Sequence, residues 1–223
     1  PLRMHTEFSI EDGMIRIKDA VKHASGLGFA ALGISDLMNL FGMVKFYKAC
    51  RGAGIKPIIG VDVWVQDDQT DDGDNKPYRL LLIARNQPGF KRLCELITQA
   101  YVDDERDKMD FRLRYSWLES GDNSGLICLS GAHLGSVGQH LLSGRPEQAK
   151  QAALALSELF PNRFYLELQR LPEKPEWENA VVGSLNLAQE LDLPIVATHP
   201  AQFLNKDDFQ AHEARVCIAS GYV

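Results

Sequence analysis

Short apolar runs of strand character alternate along the whole chain with stretches whose apolar residues recur at helical spacing. The strand candidates are residues 2–6, 30–35, 56–65, 78–84, 125–129, 164–168 and 194–198, and helical patterns fall near 14–27, 41–53, 88–103, 133–142, 146–160, 175–192 and 206–220. In the first helical pattern Ile17, Val21 and Ala24 share a face, and Gly26 or Gly28 supplies the stop. Seven strands alternating with helices predict a parallel sheet, because parallel neighbours need crossover connections. The strands ALGI, PIIGV, LLLIA, LICL and PIVAT are almost continuously apolar, as strands buried on both faces are. This favours a closed or nearly closed β/α barrel, with a doubly wound open sheet as the alternative. Two segments interrupt the rhythm. The acidic, polar run 66–76 reads as a solvated surface loop, and the charged run 103–114 as a longer connection or a short extra helix.

Length and composition narrow the class. A chain of 223 residues with 45% hydrophobic and 24% charged residues suffices for one large α/β domain with a buried core. The net charge of -6 argues against this being the main nucleic-acid-binding surface of a protein, since phosphate neutralisation needs clustered Lys and Arg. Cys50, Cys94, Cys128 and Cys217 lie far apart with no CxxC pair, which reads as buried free thiols in a reducing, cytoplasmic compartment. Neither a signal peptide nor an apolar run long enough to span a membrane is visible. The start at Pro1 with no initiator Met, a strand-like segment following at once, and the helical pattern that runs to the last residues read as those of a domain cut from a longer chain.

In a β/α barrel the strand C-termini feed the reaction face. The polar residues expected there are Arg3 and His5 on the first strand, Ser35 and Asp36 after the second, and Asp62 on the third. Arg79 falls on the fourth, Ser130 after the fifth, Glu167 on the sixth, and Thr198 and His199 after the seventh, with Asp12 just beyond the first. His5, Asp12, Asp62 and His199 are the fallback set for a single metal ion. Two arginines weigh against a cation, because guanidinium groups beside it are electrostatically unfavourable. The expectation is instead that Arg3 and Arg79 act as the positive centre, neutralising Asp12, Asp36 and Asp62. GxSxG and GxxxxGK[ST] motifs are lacking, SGAHLG at 130–135 reads as a strand-to-helix turn, and Cys128 with His133 makes no credible dyad.

Several stretches, in order, resemble the N-terminal PHP (polymerase and histidinol phosphatase) domain family of bacterial DNA polymerase III alpha subunits. They are RMHTEFSIEDG, GISDLMNLFGMVKFYKACRGAGIKPIIGVDVWV, LLLIARNQPGFKRLCELITQAY, LICLSG, PNRFYLELQR, LPIVATHPAQFL and DFQAHEARVCIASG. Together they cover essentially the whole chain, and the long stretch FGMVKFYKACRGAGIKPIIG points to replicative polymerases rather than to free-standing phosphatases. The resemblance implies a distorted seven-stranded, TIM-barrel-like β/α barrel formed by residues 1–223 as a single domain. Metal-bearing relatives would have His at 3 and 5, an acid at 12, His at 37, Glu at 62, His at 79, Cys at 132, Asp at 200 and His at 202. This chain keeps His5 and Asp12 and has Asp62 for Glu, but departs with Arg3, Leu37, Arg79, Ala132, Pro200 and Gln202.

The resemblance therefore implies a domain that has kept its fold and lost its metal, with no cofactor. Its role would be to brace the polymerase and to dock the proofreading exonuclease subunit. The remainder of the alpha chain would be its other partner, DNA would be met through the parent polymerase, and no membrane would be involved. The parent would be a DNA-directed DNA polymerase, a nucleotidyltransferase of chromosomal replication in the bacterial cytoplasm, whose catalytic acids lie outside these residues. The alternative reading is a residual phosphoesterase, a 3'-5' exonuclease or pyrophosphatase, using zinc, manganese or magnesium.

Overall fold

The computed structural model describes residues 1–68, 76–103, 111–171 and 174–221, so most of the acidic run 66–76 and of the charged connection 103–114 lies outside the described residues. In chain order the elements are α1 (Ile17–Gly26), β1 (Ala31–Ile34), α2 (Met43–Gly52), β2 (Lys56–Gln66), β3 (Tyr78–Ala84) and α3 (Gln87–Val102). After them come β4 (Leu113–Arg114), α4 (Tyr115–Glu119), β5 (Leu126–Leu129), α5 (Ser136–Leu142), α6 (Pro146–Leu159), β6 (Phe164–Leu168), α7 (Glu178–Leu191), β7 (Ile195–Ala197) and α8 (Phe209–Ser220). They fall into two compact units, residues 1–61 with 199–223, and residues 62–198.

In the first unit α1 buries Ile17, Ala20, Val21 and Ala24, one face at helical spacing. The face packs into a cluster with Leu32 and Ile34 of β1 and Phe46 and Cys50 of α2. Strand β1 pairs in parallel with the first half of β2, Ala31 opposite Lys56 and Ile34 opposite Ile59, and α2 is the crossover this pairing requires. Gly54, with φ of +73°, makes the turn from α2 into β2, a conformation that costs glycine no side-chain clash.

The strand expected at 2–6 does not form. Its residues make isolated bridges, Met4 to Ala201 and Thr6 to Ile15. The reason is local: the Met4 N–H donates to Ser35 Oγ at 2.9 Å and the Thr6 N–H to Asp36 Oδ1 at 2.6 Å. Side chains thus take the amides a continuous ladder would use.

In the second unit the last part of β2 pairs in parallel with β4, Val65 opposite Leu113. Strands β5 and β6 are parallel, with Cys128 opposite Phe164, and β6 and β7 are parallel, with Leu166 opposite Ile195. Helix α5 packs on α6 and α7. The core is made by Leu80, Leu82, Leu93, Leu126, Phe160 and Leu166, all 0% exposed.

The sheet is mixed rather than parallel, because β3 and β5 are antiparallel, with Leu81 opposite Leu129 and Ala84 opposite Leu126. Between these strands the described residues form two helices and the short β4. The chain enters β5 at the end where it left β3, where the Arg85 N–H meets the Gly125 carbonyl at 2.9 Å. Strand β4 closes the charged connection and helix α4 comes directly after it, a region where no apolar periodicity marks either element. The helix expected at 133–142 is split by Gly135 into a 3-10 turn, Ala132–Leu134, and α5.

Candidate functional site

Asp62 and Arg79 carry the chemistry of the second unit. Asp62 lies midway along β2 rather than at its end, since the strand continues to Gln66. Arg79 is near the start of β3, not the end expected for it, and the antiparallel course of that strand sets it beside the turn after β5. A Cβ on Gly131 would stand 2.1 Å from the Arg79 carbonyl oxygen, so only glycine, here at φ of +79°, fits that approach. Arg79 Nη2 donates to Asp62 Oδ2 at 2.9 Å, with the side chains 7% and 0% exposed. The guanidinium carbon also lies 4.6 Å from the centre of the Trp64 ring.

This arrangement does not fit the metal that active members of the resembling family carry. The acid that would serve as a ligand accepts from a permanently charged guanidinium, and a divalent cation placed there would repel it. Among the described residues no three His, Cys, Asp or Glu side chains form a group able to hold a metal ion.

A second buried carboxylate ties the ends of β5, β6 and β7 together. Glu167 Oε2 accepts from the Gly131 N–H at 3.1 Å, while its Oε1 accepts from Gln169 Nε2 at 3.2 Å and from the Thr198 hydroxyl. The Glu167 N–H donates to Ser130 Oγ at 2.9 Å, and Gln169 Nε2 reaches Thr198 Oγ1 at 3.0 Å. The turn at 130–135 thus presents the Gly131 amide to an internal carboxylate. His133 stacks on Trp177 with ring centres 3.5 Å apart, and Cys128 is fully buried, its thiol pushed well above the ordinary range by burial and then by Glu167. A buried thiol of that kind is no nucleophile.

In the first unit His5 Nδ1 meets Asp12 Oδ1 at 2.8 Å, and His212 of α8 reaches the Asp12 carbonyl with Nε2 at 2.9 Å. Asp36 is 1% exposed and accepts from the Thr6 N–H, from Thr6 Oγ1 at 2.8 Å and from Ser9 Oγ at 2.8 Å. Its partners are therefore hydroxyls and an amide, where an arginine was expected. Burial raises its pKa above the usual carboxylate value, and the bonds from Thr6 and Ser9 pull the other way. Ser35, beside it, accepts from Met4 and donates back to the Met4 carbonyl at 3.3 Å. Arg3 and Leu37 are buried, and His199 is exposed.

Of the expected site residues, the structure pairs Arg79 with Asp62 and His5 with Asp12, and it joins Ser130, Glu167 and Thr198 in one network. Sequence reasoning missed Trp64, Gln169, Thr6, Ser9 and His212. Trp64 lies two residues past Asp62 on β2, and Gln169 two past Glu167, just beyond the end of β6, so period two puts each on its carboxylate's face and could have found them. Thr6, Ser9 and His212 carry no such signal, because the irregular path of residues 5–12, rather than spacing, sets the partners they meet.

Comparison with known proteins agrees with this architecture. The chain is 60% identical over 223 residues to DNA polymerase III subunit alpha of Neisseria meningitidis serogroup B, covering all of this chain and 19% of that protein. It is 40% identical over 221 residues to the same subunit of Escherichia coli K12, covering 99% of this chain and 18% of that protein. It therefore spans about a fifth of the length of these curated relatives, corresponding to their N-terminal region. An amidohydrolase from Chromobacterium violaceum, at 11% identity, superposes with a TM-score of 0.59 over 96% of this chain and 95% of its own. That likeness shows the fold alone, the TIM-barrel-like α/β class foreseen from the strand pattern. Residues 1–171 match the PHP domain. Since the match runs from the first residue through β6, with its buried Glu167, this chain belongs to the PHP domain family.

Proposed function

We propose that this chain is the PHP domain of a DNA polymerase III alpha subunit. In this reading it is a non-catalytic structural module that braces the rest of the polymerase chain and docks the proofreading exonuclease subunit. Polymerisation on a DNA template belongs to other parts of the chain, and no residue here takes part in it. The observation that carries the reading is the buried pair of Arg79 with Asp62. A carboxylate engaged with a guanidinium supplies neither a metal ligand nor a general base, so the remaining role of the fold is to be rigid and to bind.

The test is elemental analysis of the purified chain after incubation with manganese or zinc, alongside a phosphodiesterase assay. Substoichiometric metal and no hydrolysis are expected, together with co-elution of the exonuclease subunit in size-exclusion chromatography. Near-stoichiometric metal, with hydrolysis lost in His5→Ala, would overturn the non-catalytic reading. Failure of the exonuclease subunit to co-elute would overturn the docking role.

A further inference from the structure

The charge of this acidic protein is unevenly placed. Residues 16–56 hold seven Lys or Arg against two acids, and one of those acids, Asp36, is buried, whereas the chain as a whole carries a net charge of -6. Helices α1 and α2 present the excess on one face of the first unit. Lys18 and Lys22 of α1 stand across an open groove of about 380 Å³ from the small residues Ala49, Gly52 and Ala53 of α2. Lys48 is one helical turn before Gly52 and therefore lies on the same flank, with Arg51 three residues further on.

Lys18 and Lys22 are like charges four residues apart, and so are unfavourable neighbours in the absence of an anion. Among the described residues, none of Lys18, Lys22, Lys48 and Arg51 has an ion pair that would offset this. Beside Lys48 and Arg51 on the outer stripe of α2 stand Val44 and Tyr47, 56% and 48% exposed, preceded by Phe41 at 61%. Exposed rings bordering a row of cations are the elements from which single-strand binding surfaces are built: cations follow the phosphates and flat side chains stack on bases.

We propose that the α1–α2 face binds single-stranded nucleic acid, with Lys18, Lys22 and Lys48 at the phosphates and Tyr47 as the stacking platform. This goes beyond the docking role above and does not rest on it, because it follows from the charge and exposure of these two helices alone. Such contacts are electrostatic and sequence-independent, and they make the face an auxiliary one that holds a strand rather than reading it.

The test uses the full chain with a fluorescein-labelled oligothymidylate of about 20 nucleotides, followed by anisotropy as salt is varied. At three phosphate contacts, affinity is expected to fall about 20-fold between 50 and 200 mM salt. Lys18→Gln/Lys22→Gln/Lys48→Gln should reduce the slope of log K against log salt by about 2 while leaving the far-UV circular dichroism unchanged. Tyr47→Ala should weaken oligonucleotide binding by about tenfold and leave the salt slope unaltered. Two results would overturn the proposal. One is the absence of salt-sensitive binding, or binding that the triple variant leaves intact. The other is displacement by polyglutamate as effective as that by unlabelled oligonucleotide, with no effect of Tyr47→Ala, which would assign the face to an acidic polypeptide.

Discussion

Arg79 and Asp62 are each tolerable in the interior because of the other. Removing the guanidinium alone, in Arg79→Met, leaves a buried carboxylate without its charged partner and is expected to cost about 3–5 kcal/mol. Replacing both, in Asp62→Leu/Arg79→Met, should recover most of that loss, since well-packed apolar groups substitute for a buried ion pair with little penalty. Urea unfolding of the two single variants and the double variant measures this, and additive losses would show that the pair is not coupled. Asp36 makes a different case. Its pKa is raised on folding by burial, so the folded state holds its proton to higher pH than the unfolded chain. Its contribution to stability is therefore fully present below the unfolded value of 3.8 and is lost as pH rises from there through the raised folded value. Unfolding midpoints across this window should show that decline in the wild type and lack it in Asp36→Asn. The asparagine variant should also be less stable throughout by about 1–3 kcal/mol, because an amide nitrogen cannot accept from Thr6 or Ser9.

At the level of elements, the reversal of β3 against β5 depends on two backbones touching. A Cβ on Gly89 would lie 1.9 Å from the Gly125 carbonyl oxygen, and Gly89 donates its N–H to Asn86 Oδ1, the cap of α3, at 3.0 Å. Gly89→Ala is thus expected to destabilise by more than about 2 kcal/mol, well beyond the usual effect of alanine in a helix. A thermal melt within a few degrees of the wild type would disprove the close approach. The reversal itself was not legible in the sequence, where LLLIA reads the same in a parallel or an antiparallel ladder. Strands β3 and β6, by contrast, begin and end where the apolar runs do, because polar or turn-forming residues flank both. The site was legible in part for the same reason. A polar residue inside an apolar strand, such as Asp62 or Glu167, stands out by itself, whereas Thr6 and Ser9 become partners of Asp36 only through the path of an irregular segment. The two-residue β4 was invisible, since its pairing with β2 is set by its neighbours and not by its own pattern.

Over the whole molecule, the division into units gives an optical handle. All three tryptophans, Trp64, Trp117 and Trp177, lie in the unit of residues 62–198, so tryptophan emission reports on that unit. A chain ending at Thr198 is expected to keep native tryptophan emission while α1 and β1 lose protection against hydrogen exchange. Retained protection there would mean that the first unit does not need its second segment. That segment supplies the carbonyls of Ala201 and Gln202 to the amides of His5 and Met14, and the imidazole of His212 to Asp12. On the ribosome this interleaving sets an order of events. Residues 1–61 must wait for the second segment of their unit while the intervening stretch is translated, for about 7–30 s at common elongation rates. The later-made central stretch, contiguous in sequence, can fold before the earlier-made segment 1–61 has its partners. For that interval the nascent chain carries exposed apolar surface that a chaperone can hold.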